Sequence, residues 1–131
     1  MKTYSFRLLP GTDLRQEIER VVSEKGIQAG VLLAGVGSLQ KAHLRLANAE
    51  KYYDSEADFE IVSLTGTVSE NGCHIHISVS DDTGKTIGGH VSEGNIVRTT
   101  AEVVIGVVEA VYRREPDSRT GYDELVISDR E

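Results

Sequence analysis

Three histidines stand at positions that suit a metal ion: His74 and His76 flank Ile75, and His90 follows beyond a turn. Alternate side chains of a strand share a face, so His74 and His76 present both imidazoles together. Imidazole suits zinc, nickel, copper or iron, and three such ligands without a thiolate leave a coordination position open to water. Zinc is the first choice for this ligand set. Thr67, Ser69 and Glu102 are candidates to orient the imidazole N–H groups. Glu102 and Glu93 are the nearest candidate catalytic bases in sequence. No Ser-His-Asp arrangement is legible. His43 stands alone and reads as a surface histidine, and Cys73 reads as a buried small hydrophobe. Gly88-Gly89 reads as a bulge or a close backbone approach rather than a phosphate loop.

The histidines meet only if the strands beneath them pair correctly. Phe59–Val68, Cys73–Ser80 and Thr86–Val91 alternate apolar and polar residues, the pattern of half-buried strands. Asn71-Gly72 predicts a two-residue hairpin loop, setting Glu70 opposite Cys73, Val68 opposite Ile75, Ser69 opposite His74 and Thr67 opposite His76. A three-residue loop of Asp82, Thr83 and Gly84 sets Asp81 opposite Lys85, Val79 opposite Ile87 and His76 opposite His90. One face is then apolar and the other carries all three histidines.

The remaining elements must cover the apolar face. Tyr4–Leu9 reads as an opening strand stopped by Pro10-Gly11. A helix follows, capped by Asp13 with Gln16 placed to complete a capping box, and ended by Lys25-Gly26. Its apolar face is Leu14, Ile18, Val21 and Val22. Ala29–Ser38 reads as a strand buried on both sides, Ala42–Ala47 as another strand, and Lys51–Ala57 as a loop. Ser92–Thr100 reads as an irregular connection. Ala101–Tyr112 is expected to be the longest strand, ended by Arg113–Asp117, with Tyr122–Ile127 closing the chain. About seven antiparallel strands with one packed helix make the class α+β, as a single domain over residues 1–131.

Composition narrows the function classes. Fourteen Lys and Arg against twenty-one Asp and Glu give a formal charge of −7, which opposes attraction to nucleic acid or anionic membrane. No apolar run approaches the ~20 residues of a membrane span. One cysteine and an N-terminus without a signal-peptide core fit a cytoplasmic, reducing setting. Apolar residues on both faces of 101–112 call for a partner, since one helix covers one face.

The chain resembles the PPC domain, a module shared by plants and prokaryotes. The resemblance rests on Leu9-Pro10-Gly11, the run Phe59–Gly66, the run Asp82–His90, and Gly94–Ile105 with Thr100-Ala101-Glu102-Val103. It implies an antiparallel sheet with a packed helix, assembled as a homotrimer. Plant members carry an Arg where this chain has Asp58, and AT-hook segments that this sequence lacks. The set His74, His76 and His90 is similar to the stand-alone prokaryotic type, often labelled DNA-binding. Three readings compete: a homotrimer whose histidine-bound metal acts on a small-molecule substrate, a DNA-binding or regulatory protein, and an assembly module for protein partners. Metal binding is favoured, and charge argues against the second.

Overall fold

The computed structural model describes residues 1–129. Its elements are β1 (Thr3–Leu8), α1 (Leu14–Glu24), β2 (Ala29–Arg45), β3 (Tyr52–Ser69), β4 (Gly72–Ser80), β5 (Thr86–Val91), β6 (Ile96–Val107), β7 (Val111–Asp117) and β8 (Tyr122–Ser128). All strand pairs are antiparallel, which with the single helix gives the expected α+β class. Six strands form one sheet in the order β1-β6-β2-β3-β4-β5. The sheet curls until β5 meets the far end of β2, through Leu44–Val91 and Arg45–His90. Strands β2, β3, β4 and β5 thus close a ring. β7 and β8 form a separate two-stranded ribbon. No described helix is long and apolar enough to cross a membrane.

Helix α1 starts where Asp13 holds an extended backbone and its side chain accepts the Gln16 amide at 3.0 Å. The other Asp13 oxygen accepts the Gly94 amide at 2.6 Å, so one carboxylate caps the helix and anchors the turn before β6. No described bond returns from the Gln16 side chain, so the capping box is half made. Leu14, Ile18, Val21 and Val22 are buried, as their helical spacing predicts. They pack into a core that includes Leu39, Leu44, Ile75, Val79, Val91, Val97 and Ile105.

Several expectations need correction. Segment 29–38 and most of 42–47 belong to one 17-residue strand, β2, carried past Leu39 by a bulge and ending at Arg45. It is not buried on both sides, because Leu33 and Val36 are 49% and 60% exposed. The expected loop at 51–57 is largely strand: Tyr52–Glu56 pairs with Lys41–Arg45. Charge at the exposed positions hid an alternation in which only Tyr53 and Ser55 turn inward. Ile96–Thr100 already belongs to β6, leaving only a short turn before it. The long strand expected at 101–112 breaks after Val107, where the Val108 amide turns to Ala29 O and the Ala110 amide to Val108 O. β3, with 18 residues, is the longest strand. Arg113–Asp117 is not a breaker but part of β7, where Pro116 is tolerated because a two-stranded ribbon is all edge.

Candidate metal centre

The β4–β5 hairpin has the predicted register, with Val79 opposite Ile87 and His76 opposite His90. Gly84 takes φ +86° in its turn, and Asp81 Oδ1 accepts the amides of Thr83 and Lys85. The β3–β4 hairpin differs. Ser69 pairs with Gly72, so Glu70-Asn71 is the loop, and Thr67 faces His74 while Thr65 faces His76. The Ser69 hydroxyl donates to Gly72 O at 2.6 Å and closes the loop one residue earlier on each side. A two-residue slip preserves the side-chain alternation, so the histidines keep their predicted face.

Ring closure lines up a row of directly paired residues across four strands: Arg45, His90, His76 and Thr65. Paired residues point to one side of a sheet. Beneath them Leu44, Ile75 and Val91 are fully buried. The ring centroids lie 4.9 Å apart for His74–His76, 5.2 Å for His74–His90 and 5.9 Å for His76–His90. One ligand nitrogen from each lies within 4.8 Å of the others. His74 and His76 are exposed and His90 is partly buried.

Electrostatics favour neutral imidazoles at His74 and His90. Burial, then the Arg45 guanidinium, His74, Arg15 and His76, push His90 down to about 4. Burial, then His76, Arg114 and Arg45, hold His74 below its ordinary value, against an opposing pull from Glu124. His90 Nδ1 is buried without a hydrogen-bond partner. A neutral imidazole with an unsatisfied buried nitrogen fits a metal ligand, and the three-histidine set therefore fits a divalent transition metal.

The other predicted residues lie elsewhere. Thr67 Oγ1 accepts from Arg114 Nη2 at 2.9 Å, and Ser69 serves the hairpin loop, so neither bonds an imidazole. Glu102 sits on β6 between Arg7 of β1 and Val36 of β2, and Glu93 is exposed in the turn after β5. No described contact joins either to a histidine. His43 stacks on Tyr52 at 4.9 Å with its Nδ1 3.4 Å from Asp54. Cys73 is buried, and burial pushes its thiol up to about 11, which suits packing rather than nucleophilic chemistry.

A cavity of about 460 Å³ opens beside His74 and His90, and Arg15, Arg45, Arg114, Asp123 and Glu124 also line it. Sequence reasoning missed these residues. Arg45 carries the only usable signal, as the last polar-face position of an alternating run; Arg114 and Glu124 reach the cavity only through the β7–β8 ribbon.

The Plants and Prokaryotes Conserved (PCC) domain matches residues 1–109, and the chain belongs to this family. It is 44% identical over 128 residues to the bifunctional protein GlmU of Synechococcus sp. (strain JA-3-3Ab), covering 97% of this chain and 21% of that protein. The chain thus spans about a fifth of the length of that curated relative. A hypothetical protein from Salmonella cholerae-suis has a similar structure, with TM-score 0.95 and 38% identity over 99% of this chain and 95% of that one. A structure described as a metal-containing protein from Archaeoglobus fulgidus matches with TM-score 0.79 and 29% identity, over 96% and 94% of the two chains.

Proposed function

We propose that this chain is a zinc-binding PCC-domain protein, assembled as a homotrimer, whose metal centre takes a small-molecule substrate. The convergence of His74, His76 and His90 carries the reading, with one nitrogen from each within 4.8 Å of the others. The metal-containing relative from Archaeoglobus fulgidus supports it. Bound zinc would supply Lewis acidity and a water of lowered pKa. The chain's part is to hold three imidazoles on a paired backbone and leave one side open to the cavity. Leu33, Val36 and Val62, each about half exposed or more, support a partner surface on the outer side of β2 and β3.

The net charge of −7 weighs against DNA. Arg113 pairs with Glu70 and Arg119 with Asp117, so neither is free to meet a DNA phosphate. Elemental analysis and zinc titration test the metal reading. Wild type should bind about one zinc per chain at a three-ligand site, and His76→Ala should lose most of it. Equal zinc in both, or none in wild type, overturns it; His43→Ala should match wild type. Sedimentation equilibrium should report a trimer, and a stable monomer overturns that part.

A further inference from the structure

Arg15 is already committed. Its Nε bonds Glu19, and its two terminal nitrogens donate at 2.7 Å to the carbonyls of Val91 and Cys73. Arg45 and Arg114 are different. The Arg45 side chain lies over the Tyr122 ring at 5.9 Å, makes no hydrogen bond and pairs with no carboxylate among the described residues. Arg114 gives one nitrogen to Thr67, while its Nε is buried without a partner. Asp123 and Glu124 line the same cavity, yet neither forms an ion pair with these arginines. A partly buried guanidinium without a counter-charge is costly, and a planar oxyanion is its natural complement.

We propose that this cavity binds a small molecule bearing a carboxylate or phosphate, held by Arg45 and Arg114, with its hydroxyl or amino groups facing Asp123 and Glu124. About 460 Å³ suits a metabolite rather than a polymer. Arg45 is paired directly with His90, so the anion would sit beside the histidine cluster. That a substrate meets the metal there rests on the zinc reading; the arginine site does not.

Isothermal titration with glycerate, glycerol 3-phosphate and uncharged glycerol, on zinc-loaded and zinc-free protein, tests the proposal. At least one oxyanion should bind and glycerol should not; whichever binds identifies carboxylate or phosphate as the source. Arg45→Gln and Arg114→Gln should each weaken binding about tenfold or more, one charge-assisted contact apiece, at unchanged zinc content. Arg114→Gln also loses the Thr67 bond, so Arg45→Gln, which loses no hydrogen bond and removes an unpaired charge, is the decisive variant and should melt no lower than wild type. The proposal is overturned if neither oxyanion binds, if glycerol binds equally, if Arg45→Gln binds like wild type, or if duplex DNA displaces the probe through the same arginines. Zinc uptake without probe binding removes the anion site alone. Arginine-dependent binding by a protein that takes up no zinc supports the anion site and removes the metal reading.

Discussion

The floor and the far wall of the histidine cavity are built differently. The floor is backbone: β4 and β5 sit in a ladder closed on both sides, over fully buried Ile75 and Val91. The far wall is the β7–β8 ribbon, outside the main sheet, most of whose side chains are exposed. Much of what holds it is side chain. Asn71 Nδ2 donates to Arg114 O, its Oδ1 accepts the Arg114 amide, and Arg113 pairs with Glu70. Two main-chain bonds help, Glu70 N to Tyr112 O and Tyr112 N to Gln28 O. The family match ends at residue 109, so the histidine floor lies within it and the wall beyond it. Ladder pairing fixes ligand geometry and resists change, whereas side-chain contacts can be retuned one at a time.

The sharpest way to break the floor is Gly66→Ala. Gly66 pairs with Ile75, and a Cβ there would overlap the His74 carbonyl oxygen and lie 3.0 Å from Ile75 Cα. Backbone cannot yield as a flexible side chain does, so a cost of about 3 kcal/mol, the upper end for overpacking, is expected. Denaturant unfolding should show it, with zinc affinity falling alongside; full zinc binding would mean that the histidines do not depend on the ladder.

Acid attacks the floor next. His90 titrates at about 4 when folded, against about 6.5 unfolded, so the unfolded chain binds more protons between those values. The metal-free protein should therefore lose stability as pH falls from about 6.5 to about 4 and stay level above until about pH 9, where the raised Cys73 thiol begins to cost stability. Asp81 and Asp117, held below the ordinary carboxylate value by bonds from Thr83 and Arg119, lose their contribution only at still lower pH. Melting temperature against pH should be flatter for His90→Asn; an unchanged slope would assign the effect elsewhere.

The wall is loosened by Asn71→Ala, which removes both bonds to Arg114 and should cost about 1–2 kcal/mol. Its distinguishing outcome is weaker glycerate or glycerol 3-phosphate binding at unchanged zinc affinity, measured by titration of each. Loss of zinc would show that floor and wall are one unit. The smallest effect belongs to Arg113→Ala, which breaks an ion pair with Glu70 at the surface; under about 0.5 kcal/mol is expected by chemical denaturation.

Legibility followed how far each feature depends on local chemistry. The β4–β5 register was readable because the 81–85 turn has one glycine placed for a positive φ, and a one-residue slip would mix the faces. The β3–β4 register was not, because slips of two leave every face unchanged, and what favours Glu70-Asn71 as the loop is the Ser69 hydroxyl together with long-range bonds from Glu70 and Asn71 to β7. The helix was readable from spacing and cap. The start of β3 was hidden because Asp54, Glu56 and Asp58 occupy its exposed positions. The histidine face needed only alternation and one turn. Arg45 and Arg114 needed ring closure and a ribbon fold, both long-range, and no local pattern announces either.

The pairing of Arg45 with His90 makes the centre a caliper. In the proposed site one jaw is the His90 imidazole and the other the guanidinium, and their hinge is a cross-strand pair whose Cβ atoms stand about 5 Å apart. The two anchors cannot drift apart, because separating them means parting β2 from β5 where Leu44 and Val91 are fully buried. Selection among ligands then becomes a matter of length: the number of bonds between the charged end and the atom presented to the histidines decides what fits. Chain length, more than chemical decoration, is the property such a site would measure.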